Sequence, residues 1–248
     1  EAYQVERIGI KLTDPEIPQD VDILVMNNPE GDLHPEEIRA LDAFLDRGGR
    51  VFLLLDPWKS VRPGTSGSEQ MRPWLESDYG IRIGSDIVIT RDKQNIWEIE
   101  LTADPRPFEL LEEDPFGYRG CFNGEHPITQ GFDQSMILPA TRTVGATEQR
   151  PEGVIVSELL RSPPDFWAET DVAKLADTGQ AQHDDHEQGG PLPLAAAAVR
   201  RLEAGSAEQG RPTDARMVVV GDSDFASNGR LGIPGNLNFL LNAMAWLS

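Results

Sequence analysis

Apolar residues fall into short runs separated by polar turns, and two of these runs frame one helix-like segment. Val21-Asp22-Ile23-Leu24-Val25-Met26 is a nearly continuous apolar run, followed by the turn-rich Asn27-Asn28-Pro29-Glu30-Gly31-Asp32. Pro35 suits the first position of a helix, and Glu36 and Glu37 suit the positive end of its dipole. Ile38, Leu41, Phe44 and Leu45 recur at helical spacing on one face, with Arg39, Asp42 and Asp46 on the other. Gly48-Gly49 ends the helix, and Val51-Phe52-Leu53-Leu54-Leu55 then forms a second buried strand running into Asp56-Pro57-Trp58. Strand, helix and strand in this order predict a parallel βαβ unit with a right-handed crossover.

The middle of the chain carries weaker signals. Ser60 to Ser68 reads as an exposed loop, and Glu69 to Tyr79 as a short helix carrying Met71, Trp74 and Leu75 and closed by Gly80. Ile87 to Thr90, Ile96 to Leu101, Met136 to Ala146 and Val154 to Leu160 are strand candidates. Recurrent proline and glycine predict irregular structure from Asp104 to Gly131. Asp177 to Gly190 has no large apolar residue and reads as a mobile loop, while Pro191 to Arg201 resumes apolar character. Ala204 to Asp214 reads as a linker-like turn. Near the end, Met217-Val218-Val219-Val220 runs into Gly221-Asp222-Ser223-Asp224-Phe225, and a helix-like stretch follows from Asn236 to Leu247. The expectation is one α/β domain over residues 1–248, with an irregular inserted region at about 60–135.

Charge narrows the functions. The chain has 42 acidic against 22 basic residues, a formal charge of −20, whereas nucleic-acid and anionic membrane surfaces need clustered Lys and Arg. A strongly solvated exterior is the plain reading. The single cysteine, Cys121, forms no internal disulfide and leaves the compartment open. No apolar run approaches the roughly 18 residues of a membrane helix. The chain opens on Glu1 and stops one residue after an apolar helix, so both ends look cut and the sequence leaves anchors and targeting segments open.

Four constellations could carry chemistry. His183-Asp184-Asp185-His186 has metal-ligating residue types, but no third or fourth ligand is marked nearby, so it reads as a solvated loop without a metal. Gly221-Asp222-Ser223 resembles the nucleophile block of SGNH-type esterases, yet no histidine follows Ser223. Its base would have to come from His34, His126, His183 or His186, all upstream. Cys121 lacks the strand-to-helix elbow of an amidotransferase nucleophile, with His126 as its nearest partner in sequence. Trp58, Trp74, Trp97, Trp167 and Trp246 could include a stacking platform for a sugar or peptide, but suit core positions better. No dinucleotide or phosphate-loop motif appears, and no cofactor is expected. What remains is that Asp56 and Asp222 each follow a buried strand. In one parallel sheet both reach the carboxyl edge, where open α/β sheets bind ligands.

Two ends of the chain, taken together, carry a family resemblance. Val21 to Pro57, the closing Arg216 to Phe225 with Asn228, and Gly235-Asn236-Leu237-Asn238-Phe239-Leu240-Leu241-Asn242 resemble the extracytoplasmic domain of ABC-transporter auxiliary proteins related to the gliding-motility protein GldG. His126-Pro127-Ile128-Thr129-Gln130-Gly131 resembles a further element of that family. The resemblance implies a mostly parallel sheet flanked by helices, Rossmann-like, similar to the GIFT-type domains of intraflagellar transport proteins and to class I glutamine amidotransferases. It also implies a periplasmic or extracytoplasmic position, anchoring helices outside this chain, and a permease and an ATPase as partners. No catalytic residue is carried over. The expected function is non-enzymatic recognition of a ligand or partner at Asp56, Trp58, Asp222, Ser223, Asp224 and Asn228. The alternatives are a serine or cysteine hydrolase and an assembly scaffold.

Overall fold

The computed structural model describes residues 3–10, 13–29, 31–57, 70–91, 95–109, 117–202 and 212–248. The expected βαβ unit is present: β1 (Ile23–Asn27), α1 (Pro35–Asp46) and β2 (Arg50–Leu54), with β1 and β2 parallel. Pro35 opens the helix, and the Glu37 carboxylate accepts the His34 N–H at 2.8 Å, satisfying an amide outside the helical ladder. Ala40, Leu41, Phe44 and Leu45 are its buried face. Gly48 stops it at φ +88°, a conformation costly for any residue with a Cβ.

Helix α2 (Met71–Tyr79) packs beside α1, with Asp42 accepting the Trp74 indole N–H at 2.8 Å and the Tyr79 hydroxyl at 3.3 Å. Short strands follow: β3 (Ile81–Ile83), β4 (Ile87–Ile89), β5 (Glu98–Leu101), β6 (Tyr118–Arg119) and β7 (Phe122–Asn123). The apolar stretch from Met136 to Ala146 is two strands, β8 (Met136–Pro139) and β9 (Val144–Ala146), divided at Ala140, whose φ is +56°. Strand β8 pairs with β5 and β9 with β3, so the break lets one apolar stretch serve two separate ribbons.

The remaining elements are β10 (Val154–Arg161), β11 (Trp167–Glu169), α3 (Val172–Thr178), β12 (Pro193–Arg201), β13 (Asp214–Val220) and α4 (Pro234–Leu247). The segment expected as a mobile loop at 177–190 begins in α3 and is tied back at its far end. Ala168 N–H donates to Gln188 O and Gly190 N–H to Phe166 O, while Glu187 is buried and bonded to Thr170 and Asp184. The loop expected at 60–68, the start of the second helix at Glu69 and most of the linker at 204–214 lie outside the described residues.

The central sheet has seven strands in the order β1-β2-β13-β12-β10-β7-β6 and is mixed. Strands β1, β2 and β13 are mutually parallel, and every later pairing, from β13–β12 outward, is antiparallel. Both faces are covered. Phe52, Leu54, Ala195, Ala197, Val218 and Val220 face one core with Phe239, Ala243 and Leu247 of α4. Val51, Leu53, Ala196, Ala198, Met217 and Val219 face the other, with the buried side chains of α1 and α2. Burial on both faces makes the central strands continuous apolar runs, each large side chain contributing about 1.5–3 kcal/mol. At the amino ends of the parallel strands, Arg50 Nη2 meets Asp214 Oδ1 at 2.9 Å, and Arg216 donates to Trp246 O at 2.7 Å. These contacts close one end of the sheet and leave the carboxyl ends to carry the polar turns.

Candidate functional site

The three parallel strands end in register, with Asn27 opposite Leu54 and Leu54 opposite Val220. Pairing continues one step further, since Asn28 N–H donates to Leu54 O at 2.8 Å and Leu55 N–H to Val220 O at 2.9 Å. The chain therefore delivers Asn28, Asp56 and Asp222 to one edge. Asp56 is the hub: Oδ1 accepts the Ser223 N–H at 2.5 Å, and Oδ2 accepts the Ser223 hydroxyl at 2.9 Å and the Asn28 amide at 2.5 Å. Both oxygens are thus occupied in joining the ends of all three strands. Burial raises the Asp56 pKa, while the bonds from Ser223 and the Arg142 charge act in the opposite direction.

Asp222 is completely buried. Its Oδ1 accepts the Asp224 N–H at 2.6 Å and starts the 3-10 turn of Asp224–Ala226, while Oδ2 has no hydrogen-bond partner among the described residues. Burial first, and the neighbouring Asp56 second, push its pKa well above the ordinary carboxylate value, which favours the neutral acid. Asp224 and Asn228, in contrast, are exposed at the rim. Trp58 lies outside the described residues.

Residues that sequence reasoning did not select hold this turn. Arg142, 1% exposed, donates from its backbone N–H to Gly221 O at 2.9 Å and from Nη2 to Pro57 O at 2.8 Å. Its charge also favours the ionised forms of Asp56 and Asp86. Asp86 accepts the Thr143 N–H at 2.8 Å and hydroxyl at 2.6 Å, fixing the segment that carries Arg142. Asn236, fully buried, accepts from Ile137 N–H at 2.8 Å and donates to Ile137 O and Phe225 O, each at 3.1 Å, which docks α4 on the turn. Asn28 and Asn236 lie in polar stretches visible in the sequence. Arg142 gave no signal.

The histidines make other contacts. His126 Nδ1 accepts the Ile128 N–H at 3.3 Å and its ring lies 5.1 Å from that of Trp246. His183 stacks against Trp167 with centroids 5.5 Å apart, and His186 Nε2 lies 3.4 Å from the Thr170 hydroxyl. His34 caps the far end of the loop before α1. The Ser223 hydroxyl is oriented by a carboxylate and not by an imidazole, the arrangement of a braced turn. Cys121 is buried. Among the described residues, no group of three or more His, Cys, Asp or Glu is placed to hold a metal ion, and no helix is long and apolar enough to cross a membrane.

A family model described as an ABC-type uncharacterized transport system matches residues 1–243. The chain belongs to that family. Family membership makes the chain an auxiliary component of an ABC-type transport system. Comparison with curated proteins finds no match. Among solved structures, the chain is similar to the N-terminal domain of mmIFT52, with a TM-score of 0.55 at 15% identity, covering 92% of this chain and 78% of that one. It also aligns with a putative ThuA-like protein from Bacteroides uniformis, with a TM-score of 0.44 at 15% identity over 91% of this chain and 69% of that one. The first likeness concerns the fold alone.

Proposed function

We propose that this auxiliary component is a non-enzymatic, extracytoplasmic domain of the GldG-like, GIFT-type kind that recognises a ligand or partner at the carboxyl edge of β1, β2 and β13. Its partners are the permease and ATPase of the same system. One observation carries the reading. The strand ends are cross-linked through Asp56 into a rigid turn whose exposed polar groups, Asp224 and Asn228, face outward from a braced base. Such a base lets a surface recognise without paying an ordering cost. Asp56, Asp222 and Ser223 keep the shape, while Asp224, Asn228 and the adjoining backbone offer the contacts.

The test uses the full-length gene product, tagged and expressed in its native membrane. Permease and ATPase are expected to co-purify with it. The double variant Asp224→Ala/Asn228→Ala should keep the thermal midpoint yet lower subunit retention or transport by about fivefold, the effect of losing roughly 1 kcal/mol at an interface. The reading fails if neither subunit co-purifies, or if the folded double variant retains both subunits and full transport.

A further inference from the structure

An open hollow of about 460 Å³ shares no residue with the strand-end turn. Its apolar wall comprises Ile89, Ile96, Trp167 and Ala181, and Arg91 and Gln180 supply polar rim groups. Local structure explains the shape. Strand β11 pairs with β4 so that Trp167 stands opposite Ile89. Thr90 N–H donates to Ile96 O at 3.0 Å and brings Ile96 back beside Arg91. Gly179, at φ +67°, ends α3 and turns Gln180 and Ala181 across the other side.

Charge then separates this hollow from an ordinary surface depression. The Arg91 guanidinium lies 5.5 Å from the centroid of the Trp167 ring. Arg91 is exposed and makes no ion pair or hydrogen bond with any described residue. In a chain of formal charge −20, an arginine unclaimed by any described carboxylate marks a place that attracts an anion. Stacking on an aromatic face holds the guanidinium plane while leaving its N–H edge free for a planar anion. The Thr90 hydroxyl is committed to Asp165 O at 3.0 Å. The volume suits a small organic molecule.

We propose that this hollow binds a small organic anion, its apolar body against Ile96 and Ala181 beside Trp167 and its carboxylate or similar group on Arg91. Benzoate and benzamide, alike in shape and different in charge, are the probes. They are titrated into ¹⁵N-labelled chain while the Trp167 indole N–H signal, assigned by its absence in Trp167→Phe, is followed. Benzoate should saturate the shift at about tenfold lower concentration than benzamide, the worth of one charge-assisted contact.

Ala181→Phe fills the hollow and should abolish the shift. Arg91→Gln should remove the preference for benzoate, and Arg91→Lys, which keeps the charge, should retain part of it. Thermal unfolding verifies each variant, and Arg91→Lys with Ala181→Phe carries the test if Arg91→Gln disturbs folding. No shift with either probe, equal affinity for both, or benzoate binding unaffected by Ala181→Phe overturns the proposal.

Discussion

Replacing Asp222 by asparagine should flatten the pH dependence of stability, because the fold raises the pKa of this carboxyl above its unfolded value. Asp222 is 0% exposed, has one oxygen without a hydrogen-bond partner among the described residues, and stands beside the carboxyl of Asp56. Its folded pKa is raised, so its favourable contribution is fully present below the unfolded pKa of about 3.9 and is lost as pH rises towards the folded value. While Asp222 stays neutral, each pH unit in that window costs about 1.4 kcal/mol. The loss accumulates over every pH unit in which Asp222 stays neutral, against a usual total of about 5–15 kcal/mol.

The side-chain amide of Asp222→Asn has no proton to lose in this range. It puts an NH₂ group where Oδ2 has no partner, at a cost of about 1–3 kcal/mol, but that offset does not change with pH. Slope is therefore the readout, and other raised carboxyls, such as Asp86 and Glu158, cancel in the difference between variant and wild type. The Asp56 charge raises the Asp222 pKa, so the difference curve also carries any change that the substitution makes at Asp56. Urea unfolding of both proteins between pH 5 and 7 should show Asp222→Asn gaining on the wild type as pH rises. Parallel curves would mean that Asp222 is ionised in the fold, and the account of the turn as resting on a neutral acid would be wrong.

Two further outcomes test the same architecture. A Cβ on Gly221 would lie 2.2 Å from Arg142 O and 2.9 Å from Thr141 Oγ1; because the first is backbone, Gly221→Ala should cost at least about 2 kcal/mol and lower the thermal midpoint by about 4–8 °C. Burial pushes the His126 imidazole down to about 4, so its NMR titration should centre there. The stability it contributes is present above the unfolded pKa of about 6.5 and is lost as pH falls towards about 4. A His126 midpoint near 6.5 would show a solvated ring and contradict its packing on Trp246.

The parallel unit was legible because each of its elements carries its own signal. Pro35, Glu36 and Glu37 start α1, Gly48 and Gly49 stop it, and the flanking runs are apolar without a helical period. Strand β12 shows the opposite case. Ala195 to Ala198 is a run of strong helix formers with no hydrophobic period, and its strand state is imposed from outside, by β10 on one side and β13 on the other. Odd alanines face one core and even alanines the other, so the small side chains fit a strand pressed on both faces. The candidate site divides in the same way. Asp56 and Asp222 could be placed on one edge because Asp56 follows an apolar run directly and Asp222 follows one after Gly221. The Arg142 brace comes from 85 positions after Pro57, a contact no local pattern announces.

The geometry also explains why Gly-Asp-Ser can look like a nucleophile block and serve another purpose. A nucleophilic serine on a strand-to-helix turn must be exposed and paired with a base that can take its proton near neutral pH. Ser223 is only 9% exposed, and its hydroxyl and amide both point at one carboxylate that also accepts from Asn28. A carboxylate filled in this way gains most by staying an acceptor, because taking the Ser223 proton would turn one of its bonds around and weaken the others. Of the three elbow residues, only Ser223 bonds Asp56, and together with Asn28 the two join the ends of three strands. Catalysis and clamping make opposite demands on Asp56, and its bonding satisfies the second.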